Sequence, residues 1–114
     1  MHGNLYFKVS HGWDYPIRVA LAGPSLRASG PAWDPGELVP AKAVNFRLKY
    51  YAEPGFGGWA GVWTLSYKED GGKGWCETEA NTGLKLAQGA WELVWTFYGS
   101  KWTASMSYLG DEGK

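Results

Sequence analysis

Residues 91–98 read Trp-Glu-Leu-Val-Trp-Thr-Phe-Tyr, and this alternation limits what the chain can fold into more than any other feature. Successive side chains on a strand point to opposite faces. Trp91, Leu93, Trp95 and Phe97 therefore share one face, and Glu92, Val94, Thr96 and Tyr98 the other. Gly99-Ser100 follows, and glycine in the first central position suits a two-residue type II′ turn. Such a turn pairs Tyr98 with Lys101. In that register Phe97 faces Trp102, Trp95 faces Ala104, Leu93 faces Met106 and Trp91 faces Tyr108. All eight lie on one face, while Glu92, Thr96, Thr103, Ser105 and Ser107 lie on the other. A large ring opposite a small residue, as with Trp95 and Ala104, is what a packed sheet face requires.

The same period recurs along the chain. In residues 43–51, Val44, Phe46, Leu48 and Tyr50 alternate with Asn45, Arg47 and Lys49, predicting one core face and one wet face. Residues 59–68 place Trp59, Trp63, Leu65 and Tyr67 on one side. Glu69-Asp70-Gly71-Gly72 then reads as a turn, with a return strand over 74–79. Leu5-Phe7-Val9 and Ile17-Val19-Leu21 predict two more strands around a His11–Tyr15 loop. Residues 23–42 hold Pro24, Pro31, Pro35 and Pro40 and predict a long ordered loop or an edge strand. Residues 81–90 read as a turn, a short apolar step and a second turn. No stretch of useful length has helical period. Seven or so short strands predict an all-β domain over residues 1–114, a small antiparallel β-sandwich with a small β-barrel as the alternative.

Chemistry-bearing groups are scarce. Histidine occurs only at His2 and His11, and no Gly-x-Ser-x-Gly elbow presents a nucleophile. Two histidines and one cysteine at unrelated spacings do not make a metal site. The expectation is a protein that is not an enzyme, with no catalytic residues, no metal and no cofactor. Eleven bases against eleven acids leave no cationic surplus for phosphate contacts, which argues against nucleic acid. Zero net charge also permits copies to approach one another, so a homo-oligomer is allowed. Cys76 is the single cysteine and excludes an internal disulfide; between Trp75 and Glu77 it reads as a small buried strand residue. No apolar stretch approaches the ~18–20 residues of a membrane span. The N-terminus shows no signal-peptide apolar run, so the expected location is cytoplasmic, or outside the cell without a leader.

What is abundant is aromatic surface: eight tryptophans and seven tyrosines. Trp63, Trp91, Trp95 and Trp102 fall on predicted core faces. Trp75, Glu77 and Glu79 share the opposite, wet face of their strand, an indole beside two acceptor carboxylates. The Cα atoms of Glu77 and Glu79 stand about 6.5–7 Å apart along one strand, and the two carboxylates make a solvated face and not a pair arranged across a cleft. Trp13, Tyr15 and Trp33 lie in loops, and Trp59 follows a glycine-rich stretch. Trp13 and Trp33 also read as hydrophobic plugs over sandwich ends. If strands alternate direction, the loops at Trp13, Phe56 and Asn81 share one end, and Trp33, Trp75 and the Gly99 turn share the other.

These residues predict a recognition module of lectin-like character, binding carbohydrate through loop and edge aromatics. The alternatives are a membrane-associating toxin or cytolysin of β-sandwich type, and an assembly subunit with aromatic protein–protein contacts. The partner surface is accordingly a glycan or a lipid head-group layer. Gly74-Trp75-Cys76-Glu77 and the aromatic-rich second half are loosely similar to the small β-sandwiches of actinoporin-like cytolysins and fungal fruit-body lectins. That likeness spans well under half the chain and carries over no site residue.

Overall fold

The computed structural model describes residues 3–24, 26–27, 36–53, 59–82 and 89–110. They form nine strands and no helix. The strands are β1 (Gly3–Ser10), β2 (Ile17–Ala22), β3 (Leu26–Arg27), β4 (Glu37–Val39), β5 (Phe46–Ala52), β6 (Gly61–Glu69), β7 (Cys76–Thr82), β8 (Gly89–Tyr98) and β9 (Lys101–Gly110). Two sheets face each other as a small β-sandwich. One has five strands in the order β3-β5-β1-β8-β9, the other four in the order β4-β2-β6-β7. The proline-rich region thus supplies a short edge strand to each sheet, while residues 28–35 and 83–88 lie outside the described residues.

The β8–β9 hairpin has the register that the alternation predicts, from Tyr98 opposite Lys101 to Trp91 opposite Tyr108. Gly99 has φ +68°, and Ser100 is not among the residues with positive φ, as a type II′ turn demands. The core is built from the inward members of each alternation: Leu5, Phe7 and Val9 on β1, Ile17, Val19 and Leu21 on β2, and Trp63, Leu65, Leu93 and Trp95 on β6 and β8. Each fully buried apolar side chain contributes roughly 1.5–3 kcal/mol. Trp91 and Trp102 pack against this core and are partly buried.

Three expectations need correction. First, strand directions do not simply alternate: β1 pairs with β8 in parallel, Gly3 opposite Gly89 through Ser10 opposite Thr96. This brings the Trp13 loop, the 40–45 loop, the turn before Trp75 and the Gly99 turn to one end of the sandwich. Backbone bonds tie three of them, with Lys42 N–H donating to Trp13 O at 2.9 Å and Asp70 N–H donating to Pro16 O at 3.0 Å. Second, Val44 does not face the core. It is 79% exposed, because Lys42 and Asn45 both take φ 51° and break the extended backbone, so Ala43 turns inward instead. Third, Cys76 is exposed. It pairs with Tyr67 and faces the inter-sheet side, but at the first residue of an edge strand, where the facing sheet does not cover it.

Glu37 joins the sheets at the other side of the sandwich. Its Oε1 accepts the backbone N–H of Lys49 on β5 at 2.7 Å. Burial raises its carboxyl above the usual range, against the opposing pull of that bond and of the Lys49 charge. Burial, reinforced by the Glu37 charge, pushes the Tyr50 phenol up to about 12.

Candidate functional site

The outer face of the four-stranded sheet carries small side chains near its centre. Register places Ala20 beside Ser66 and Ser66 beside Glu77; one step along, Ala22 lies beside Thr64 and Thr64 beside Glu79. Alanine on β2 and hydroxyl residues on β6 leave room above the backbone. The result is an open depression of ≈ 470 Å³ lined by Ala20, Leu21, Ala22, Ser66, Trp75 and Glu77.

Trp75 forms one wall. It immediately precedes β7, and its indole borders the outer face of the sheet beside Ala20, Ser66 and Glu77. Lys68 Nζ sits over the ring, 4.7 Å from its centroid. The far edge of the indole meets Gly36, where an added Cβ would stand 3.0 Å from Trp75 Cη2 and 2.8 Å from the Val19 carbonyl oxygen. Gly36 also has φ +87°, so glycine is required there for conformation and for clearance. Arg18 holds the Gly36 segment, donating from Nη1 to Gly36 O at 3.2 Å and from Nε to Asp70 Oδ1 at 2.9 Å. The ring is thus braced on one side and 38% exposed overall.

Chemically, the depression offers an apolar bed, a partly exposed π surface, a hydroxyl and a carboxylate. A small number of convergent polar groups on an otherwise apolar surface is the usual make-up of a small-molecule site. Glu77 and Glu79 are both exposed on one strand face, which suits acceptance of hydrogen bonds from a ligand.

The sandwich end holds the second group. Trp13 stacks on Phe97 at 4.3 Å between ring centroids, and lies 6.2 Å from Tyr67 and 6.0 Å from Trp102. It is a partly buried plug over the inter-sheet space. His11, which nothing in the sequence marked, positions it. His11 is buried; its Nδ1 accepts the Trp13 backbone N–H at 3.1 Å, and its Nε2 donates to Pro40 O at 2.8 Å. Both bonds are satisfied together only by the neutral imidazole carrying its proton on Nε2. Burial lowers the His11 pKa, against the opposing effect of the Pro40 bond. Tyr15 stands at the rim of the plug, 39% exposed. Beside it Trp13, Tyr15, Tyr67, Lys68, Gly74 and Cys76 contribute to a recess of ≈ 150 Å³.

Of the predicted site residues, the fold brings Trp75, Glu77 and Glu79 together on one sheet face. It places Trp13 and Tyr15 at the adjoining sandwich end. Trp59 is a correction: it is fully buried, and its carbonyl accepts from Trp63 Nε1 at 3.2 Å and from the Thr82 hydroxyl. Those two donors anchor it inside the core, out of reach of any ligand. Trp33 lies outside the described residues. Ala20, Ser66 and Gly36 escaped the sequence reading, since none carries a motif and only cross-strand register gathers them. Among the described residues no cluster of His, Cys, Asp and Glu is disposed to hold a metal ion, and no helix is long and apolar enough to cross a membrane. No protein-family model matches this chain, and no curated protein sequence does.

Proposed function

We propose that this protein is a non-enzymatic recognition module that binds carbohydrate on the outer face of its four-stranded sheet. The supporting observation is the meeting of Trp75, Ser66 and Glu77 around one alanine-floored depression. A pyranose ring has an apolar C–H face and a rim of hydroxyls. The first packs on the Trp75 indole and the alanine floor; the second donates to Glu77 and exchanges hydrogen bonds with Ser66. Glu79, one step along the same face, extends the acceptor row to a second sugar unit. The test is a glycan array probed with the wild type and with Trp75→Ala. Retained binding by Trp75→Ala would refute this site, and absence of binding by the wild type would refute the reading.

A second reading, association with a lipid surface, has one observation in its favour. Tyr15, Val44 and Tyr98 are exposed at 39%, 79% and 84%, and the topology collects them at one end of the sandwich. Rings with an apolar body and a polar tip favour the lipid–water boundary. Flotation with liposomes separates the two readings: Tyr98→Ser reduces flotation under this one and leaves glycan binding intact under the first.

A further inference from the structure

Four strands end the two sheets, and three of them are poor templates for a further strand. β3 has two residues and β4 three, while β7 carries Glu77 and Glu79. β9 differs. It has ten residues, no proline, and a single charge at its first position. Its pairing with β8 is regular from Lys101 to Tyr108, with a shift only beyond, between Trp91 and Ala90. Short edges, charges, prolines and bulges are what stop sheets from joining edge to edge, and residues 102–108 have none of them.

The turn fixes which backbone groups point outward. Tyr98 and Lys101 flank a two-residue turn and form a hydrogen-bonded pair, and pairs alternate from there. Lys101, Thr103, Ser105 and Ser107 therefore direct N–H and C=O towards β8. Trp102, Ala104 and Met106 direct theirs away, and among the described residues no strand pairs with that side.

We propose that β9 pairs antiparallel with β9 of a second copy, about a two-fold axis through Ser105, joining the two five-stranded sheets into one continuous sheet. In this register Ala104 faces the partner's Met106, Trp102 faces the partner's Tyr108, and Thr103 faces the partner's Ser107. The single cation, Lys101, lies at the end of the paired stretch and far from its counterpart. Self-pairing of β7 would instead crowd glutamates. A chain of zero net charge offers no long-range repulsion to the approach. Tyr108 and Leu109, 51% and 48% exposed, lie within the covered region. The proposal stands apart from the glycan reading, whose site is on the other sheet.

Sedimentation velocity on the full chain across micromolar to submillimolar concentration tests it. The wild type passes from monomer to dimer. Ser105→Lys sets two ammonium groups face to face on the axis and weakens the dimer about tenfold. Ser105 is exposed, so the monomer keeps its fold. Ala104→Pro removes one outward N–H without touching the ladder to β8, and weakens it at least as much. A wild type that stays monomeric throughout overturns the proposal, as does a dimer that Ser105→Lys leaves unchanged.

Discussion

The Nδ1 atom of His11 accepts the backbone N–H of Trp13 at 3.1 Å, so the indole that plugs the sandwich end is held by an imidazole that must stay neutral. An unfolded histidine takes up its proton near pH 6.5, whereas burial lowers the native value. Below about pH 6.5 the unfolded state therefore binds more protons than the native one, and stability falls as pH falls. This contribution is fully present above that pH and is lost towards and through the lowered native pKa. Urea midpoints between neutral and mildly acidic pH, for the wild type and His11→Asn, isolate it. The stability advantage of the wild type shrinks as the solution is acidified.

Gly23 and Trp63 make a sharper demand. A Cβ at position 23 would lie 2.0 Å from Trp63 Cε3 and 2.4 Å from Cδ2, atoms of a rigid and fully buried ring. Gly23→Ala forces the indole or the chain to move and destabilises by about 2–3 kcal/mol. Chemical denaturation measures this, and a changed near-ultraviolet dichroism spectrum accompanies it.

Two tryptophans that look alike in sequence separate cleanly under substitution. Trp59→Ala opens a core cavity and costs about 3–5 kcal/mol. Trp75→Ala loses the Lys68 contact and the packing of the indole edge at Gly36, from a ring already 38% exposed, at about 1–2 kcal/mol, while glycan binding is lost. Thermal melts beside a binding assay distinguish the two patterns.

Glu77→Gln keeps the shape of the depression and replaces its lining carboxylate with a neutral amide. Affinity for a neutral glycan falls about tenfold, as for loss of a hydrogen bond to a charged group. Isothermal titration with the best array ligand reads this directly, and the melting temperature stays within a degree or two of the wild type.

The β8–β9 hairpin was legible in full because its alternation is unbroken and its turn chemistry admits one pairing. The neighbouring error at Val44 has a local cause. Two left-handed residues, Lys42 and Asn45, flank it, and neither is a glycine that would have marked the break. The outer-face depression was half legible. Period two placed Trp75, Glu77 and Glu79 together, but Ile17-Arg18-Val19-Ala20-Leu21-Ala22 reads as a nearly continuous apolar run. Its alanines become a floor only once β6 lies beside them with Ser66 and Thr64. The burial of Trp59 depends on two donors, one of them Thr82, far along the chain. No local pattern encodes such a contact.

The parallel pairing of Gly3–Ser10 with residues 89–96 has a kinetic meaning. The strand in the middle of the larger sheet has to hold out, unsatisfied on one side, until a segment from the far end of the sequence arrives. Closing so long a loop is slow, which places refolding in the milliseconds-to-seconds class of non-local β topologies. Stopped-flow fluorescence should find the hairpin of residues 89–110 organised early and the Phe7–Trp63 contact appearing last.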